Sequence, residues 1–270
     1  MEDDSPLESA NPPVDSTSPV VAAWYERVTG PDELVACVED LGLLPLRAPA
    51  GWPTLPRVLA PEISMTTAWS WVGELVSSRR IFAGHVLPGL GTACLTSLPV
   101  FSLAFARGPS SDPAQAYAAG LFGITGKAVV DLLQVRGPLT LQQIRLGLGQ
   151  HKRFLIHDTP RVMDELERAL VVIAGATGLT AGWRSPQRGP SKPRSRFNPA
   201  PSPNMDLRVW ELTLRWAPPA ALAAADRLRE QPGAARALLR DRLAALNPVA
   251  LPAELDTLLG EDPGHEPHPA

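Results

Sequence analysis

Apolar residues recur three to four positions apart in most windows of this chain and two apart in only one, so helices should dominate over strands. Val20–Val28 predicts a short helix around Trp24 and Tyr25. Leu34, Val35, Val38 and Leu41 share one helical face, with Pro31 in the first turn, Asp32 and Glu33 at the positive end, and Gly42 as the stop. Leu43–Leu46 is a short extended apolar piece. Pro49, Pro53, Pro56 and Pro61 then make 47–61 an irregular connection. Trp69, Val72, Leu75 and Val76 mark a further helix ending at Arg79 and Arg80. Residues 82–107 fit either short strands or a buried helix near Leu95–Phe105. The RGPSSDP run at 107–113 reads as a linker, followed by a bridging helix over Ala114–Phe122.

Beyond it the pattern is helix, helix, helix, strand, loop, strand. Thr125 is placed to cap a helix over Lys127–Arg136, Thr140 a second over Leu141–Leu148, and Asp158 or Thr159 a third with Pro160 at its first position. Val162, Met163, Leu166, Ala169 and Leu170 form the inner face of that third helix, and Val171–Ala174 is a β-branched strand. Leu207–Trp216 alternates apolar and polar residues with one phase slip near Trp210, as in a half-buried strand. The implied fold class is mainly α with small β, a winged-helix (helix-turn-helix) architecture. Its segments are a tail at 1–19, an N-terminal helical or winged-helix-like domain at 20–107, a winged-helix domain at 114–218, C-terminal helices at 219–260 and a second tail at 261–270. The tails have the composition of disordered segments.

Charge sharpens this picture. The formal net charge is −3, yet ten of the 28 acids lie in the first and last twenty residues, which hold no cation. The body between them carries 18 acids against 25 cations, a balance that suits a polyanionic partner. Only three of the cations are lysines, and with 30 prolines this reflects GC-rich codon usage rather than function. Residues 81–106 carry no charged side chain, but Pro88, Gly89, Gly91 and Pro99 interrupt them, so buried core is expected and no membrane span. Cys37 and Cys94 stand alone in apolar settings, as reduced thiols of a cytoplasmic protein.

The strongest candidate for chemistry is the wing. Arg184, Arg188, Lys192, Arg194 and Arg196 fall within an acid-free segment broken by Pro186, Gly189, Pro190 and Pro193. Cations displayed in this way neutralise phosphates and release counterions, which positions a protein on duplex DNA without reading its sequence. The third helix offers Arg161 and Arg168 outward, with Lys152 and Arg153 just before it; Asp164 and Glu165 on the same face oppose phosphate. Trp52, Trp69 and Trp71 are candidates for base stacking or for core. Gly120–Lys127 (GLFGITGK) imitates a phosphate loop, but Leu121 occupies the first glycine position and Ala128 that of the Mg²⁺-binding hydroxyl. No cofactor fingerprint or metal-ligand spacing is present; His265 and His268 lie in the tail.

Leu139–Ile144 (LTLQQI) and Met163–Gly175 (MDELERALVVIAG), within the run from Gly123 to Trp183, resemble the winged-helix region of the AlkZ/YcaQ-type DNA glycosylases and AlkZ-related proteins. Glu39–Leu46 (EDLGLLPL) and the Trp69-x-Trp71 pair resemble the upstream part of that group, so the similarity spans about residues 31 to 216. The resemblance implies tandem winged helices around a concave DNA-holding surface. It also implies a Gln-x-Gln or Gln-x-Asp pair after the first Leu-Gly, positioning the water that attacks the sugar carbon. Aligned on Leu41-Gly42, those two positions hold Pro45 and Arg47. Proline cannot polarise a water, and a fixed cation opposes the positive charge developing on the sugar. Expected, then, is a nucleoid-associated duplex-DNA-binding protein in repair or regulation that lacks this device. The alternatives are an active glycosylase using Glu39 or Asp40, and a winged-helix module that binds a protein partner.

Overall fold

The computed structural model describes residues 18–48, 51–108, 112–149, 155–175, 209–231 and 233–260. Among these the chain is mainly helical, with thirteen helices and two three-stranded antiparallel sheets.

After a single turn, α1 (Pro19–Ala22), come α2 (Pro31–Leu41), β1 (Leu43–Pro45), the short α3 (Leu55–Val58), α4 (Met65–Ser77), β2 (Phe82–Gly84) and β3 (Cys94–Thr96). Leu34, Val35, Val38 and Leu41 are all buried, as the spacing requires. Trp24 and Tyr25 lie beyond the end of α1 in turn conformation and are half-buried, so the expected helix is cut short. Residues 82–107 contain both expected alternatives. Two strands of three residues, buried throughout and therefore without alternation, precede α5 (Leu98–Ala106).

The linker region leads into α6 (Pro113–Ala118), shorter than the expected bridge. Then follow α7 (Ile124–Arg136), β4 (Leu139–Thr140), α8 (Leu141–Gly149), α9 (Leu155–Arg168), β5 (Val172–Gly175) and β6 (Val209–Leu212). Thr140 caps α8 reciprocally: the Gln143 amide donates to Thr140 Oγ1 at 3.2 Å, and the Thr140 amide to Gln143 Oε1 at 2.8 Å. Two expectations shift. Thr125 is not the cap of α7, whose N-cap is Gly123. Helix α9 begins upstream of Asp158 and carries Pro160 inside it, because Thr159 turns inward and is fully buried instead of capping.

Helix–strand–helix–helix–strand–strand thus occurs twice, and both sheets have the order first, third, second: β1-β3-β2 and β4-β6-β5. The repetition extends to how the third helix of each unit ends. Beyond α4, Arg79 takes the left-handed conformation (φ 58°) and the Arg80 amide donates to Leu75 O at 2.9 Å. Beyond α9, Leu170 does so (φ 54°) and the Val171 amide donates to Leu166 O at 2.9 Å. This is the helix stop that ordinarily favours glycine at the left-handed position.

The largest departure from expectation is at Leu207–Trp216. The strand ends at Leu212 and the chain turns into a helical turn, α10 (Thr213–Trp216). The phase slip marks a change of core. Trp210 and Leu212 belong to the apolar cluster of the second unit, whereas Trp216 and Ala217 belong to that of the first. The last helices, α11 (Pro219–Arg229), α12 (Ala234–Leu246) and α13 (Pro252–Leu259), then join the first cluster through Ala225, Leu239, Leu243, Leu255 and Leu259. Arginines clamp them there by donating to backbone carbonyls: Arg229 to Phe105 O at 2.7 Å and Gly108 O at 3.1 Å, and Arg107 to Leu259 O at 2.5 Å.

Leu239 is fully buried and Leu238 about half exposed on the same helix. Leu239→Ala should destabilise the protein by about 2–5 kcal/mol, against roughly 0.5 kcal/mol for Leu238→Ala. Urea denaturation followed by circular dichroism measures both. Equal small effects would show that α12 is not part of this core.

Candidate nucleic-acid interface

In each unit the third helix lies against the sheet on one face and meets solvent on the other. In α9, Val162, Met163 and Leu166 are buried while Arg161 and Arg168 are exposed, as the periodicity requires. Their charges, however, are matched within the helix. Arg161 pairs with Glu165 at 3.1 Å and Arg168 with Asp164 at 3.1 Å, both four residues apart. Such exposed pairs add only about 0.3–0.5 kcal/mol each, but they leave the helix face close to neutral. The wing residues Arg184, Arg188, Lys192, Arg194 and Arg196 lie outside the described residues, as do Lys152 and Arg153.

Helix α4 is the counterpart of α9 and presents a different surface. Ser64 caps it, accepting from the Thr67 amide at 3.1 Å. Thr66, Thr67, Ser70 and Ser77 are exposed along it, and Glu74 is its only acid. Small hydroxyl side chains offer donors to phosphates and base edges without like-charge repulsion. At its end Arg80 pairs with Asp32 at 2.7 Å, whereas Arg79 is exposed and forms no ion pair among the described residues. These hydroxyl positions were missed in sequence because small polar residues produce no charge signature. The available signal was the capped Ser64–Thr67 start.

The segments between the last two strands of each unit differ in length, 85–93 against 176–208. Residues 85–93 carry a 3₁₀ turn, Pro88–Leu90, that packs against α13. A Cβ at Gly89 would overlap the Thr257 carbonyl of that helix, so the approach is backbone to backbone. The first unit's inter-strand segment is therefore covered by the C-terminal helices.

Other candidates resolve into structure. Trp52 is buried, and Trp69 and Trp71 pack partly buried against the first cluster. In the phosphate-loop look-alike, Gly126 lies under Phe122, whose Cδ2 would sit 2.8 Å from an added Cβ, and Lys127 pairs with Asp131 at 2.7 Å. Pro45 is buried in β1 opposite Cys94, while Arg47 is exposed. Glu39 and Asp40 are exposed on α2, with Asp40 accepting from Trp24 Nε1 at 3.1 Å. Burial pushes the Cys37 thiol up to about 12 and raises that of Cys94 further, so both are protonated at neutral pH. Among the described residues no group of three or more His, Cys, Asp or Glu is placed to hold a metal ion. Nor is any helix among the described residues long and apolar enough to cross a membrane.

No family model, curated protein or solved structure matches this chain.

Gly89→Ala should dislodge α13 from the first unit. Amides of residues 252–260 should then exchange faster in hydrogen–deuterium exchange, with those of α7 and α8 unchanged. Unchanged protection over 252–260 would mean that the close approach is dispensable.

Proposed function

We propose that this protein binds duplex DNA through two winged-helix units and is a divergent relative of the AlkZ/YcaQ-type glycosylases that acts in DNA repair or regulation. The observation that carries the reading is the twofold helix–strand–helix–helix–strand–strand order with sheet order first, third, second. That topology turns the third helix outward, where a major groove accepts it. The hydroxyl face of α4, with Glu74 as its one acid, suits that role better than α9. The basic segment from Arg184 to Arg196, which falls between β5 and β6 in the sequence, supplies phosphate attraction. Pro45, buried in β1, supports a binding protein without the polar pair that activates water in those enzymes.

Fluorescence anisotropy of a labelled duplex against salt tests this. Wild type should bind with a steep negative salt slope. Changing Arg188, Lys192, Arg194 and Arg196 to Ala should reduce that slope by about 0.9 for each phosphate that is no longer neutralised. Thr66→Glu with Ser70→Glu should weaken binding, since carboxylates would face the phosphates. Asp164→Asn with Glu165→Gln should strengthen it by freeing Arg161 and Arg168. Absence of wild-type binding at low salt would end the DNA reading in favour of a protein partner, and base release from alkylated duplex would reinstate catalysis.

A further inference from the structure

The two units and the C-terminal end of α5 enclose a cavity of about 150 Å³ at their junction. Its apolar walls include Val86, Phe105, Leu121 and Leu214. The left-handed stop of α9 forms another part of the wall through Arg168 and Leu170. Leu170 holds a backbone conformation that costs a non-glycine residue about 1–2 kcal/mol, and strain of this kind gathers at ligand clamps.

The polar groups in the lining have one sign. Arg107 is the cation of the lining; Arg168, paired with Asp164 at 3.1 Å, and His85 also border the cavity, and no Asp or Glu does among the described residues. Thr213 also lines it. That residue is fully buried, and its Oγ1 has no hydrogen-bond partner within the protein. A buried hydroxyl left in this way costs about 1–3 kcal/mol relative to one that is satisfied. Its backbone amide donates to Val171 O at 3.1 Å, which fixes the residue at the wall. Mostly apolar pockets between units, with a few converging polar groups, are the common form of small-molecule sites.

We propose that this cavity binds a small carboxylate bearing one ring-sized apolar group. The ring occupies the space beside Phe105 and Leu214. The carboxylate accepts a hydrogen bond from the orphan Thr213 hydroxyl on the side made cationic by Arg107. The size agrees: an engineered apolar cavity of about 150 Å³ in another protein takes up one benzene. The sign of the charge follows from the lining, and the hydrogen bond satisfies the one buried polar group that the protein leaves unpaired at this wall. The inference stands apart from DNA binding, since the groups that hold the ligand, Thr213 and Arg107, lie at the junction and on neither outward helix.

Isothermal titration calorimetry of the full chain with benzoate and with benzylammonium tests it directly. Benzoate should bind one-to-one with Kd about 0.1–1 mM, the range open to so small a ligand, and benzylammonium at least about tenfold more weakly. Thr213→Val keeps the shape and removes the hydroxyl. It should weaken benzoate about tenfold while leaving the melting temperature unchanged or raised. Ala116→Leu, which fills the cavity from α6, should abolish binding in a protein with wild-type circular dichroism. No heat from benzoate up to about 10 mM with wild type would overturn the proposal. So would equal affinity for benzylammonium, or full affinity in Thr213→Val.

Discussion

The arrangement of the whole molecule depends on where Trp216 goes. The chain leaves the second unit with Trp210 buried in that unit's core and, six residues later, delivers Trp216 into the core of the first. There the indole stands edge-on to Phe82 and Phe101, with ring centroids 5.5 and 5.8 Å away, and donates from Nε1 to Val76 O at 3.2 Å. Two aromatic edges and one directional hydrogen bond leave the ring a single orientation. The turn that carries it, α10, is fixed in consequence, and with it the hairpin of β5 and β6 against β2. The chain also emerges from this turn over α5, so the C-terminal helices pack on the first unit although they follow the second.

The two units end their third helices in the same way but use the left-handed residue differently. Arg79 is exposed, whereas Leu170 is buried in the neighbouring unit's core. A glycine would relieve the backbone at either place. At 170 it would also remove a leucine from the seam, whose burial is worth about 1.5–3 kcal/mol, more than the backbone strain. Retention of leucine is thus a tertiary effect. The inter-strand segments diverge similarly: 85–93 is held under α13, while 176–208 is long and carries the cations.

Elements that bury one face against one core were legible in the sequence. Helix α2 shows this, with its four apolar residues, its Pro31 start and its glycine stop, as does α8 with its Thr140 capping box. Elements whose conformation is decided by distant partners were not. Strands β2 and β3 are buried on both faces, so no alternation announced them. Alternation over Leu207–Trp216 continued past the true end of the strand because Thr213 and Trp216 are spaced for a helical turn facing another core. Of the proposed DNA-contacting residues, Arg161 and Arg168 were correctly placed on a surface, but their pairing with Glu165 and Asp164 emerges only from side-chain geometry. The cavity was invisible to sequence because its walls come from segments as far apart as His85 and Leu214.

The neutral face of α9 constrains how such a molecule could hold DNA. A helix whose arginines are matched at i and i+4 contributes little to long-range attraction, since opposite charges a few ångströms apart cancel within a Debye length of about 8–10 Å. Attraction must then come from cations outside such pairs, such as Arg79 at the end of α4 and the basic run from 184 to 196. These belong to different units, whose described parts are joined through the Trp216 seam. In the proposed function the basic run would supply affinity, α4 with its hydroxyls would supply groove contacts, and the seam would hold the described parts of the two units in register. A ligand at the junction would press on Leu170 and Thr213, residues of that same seam.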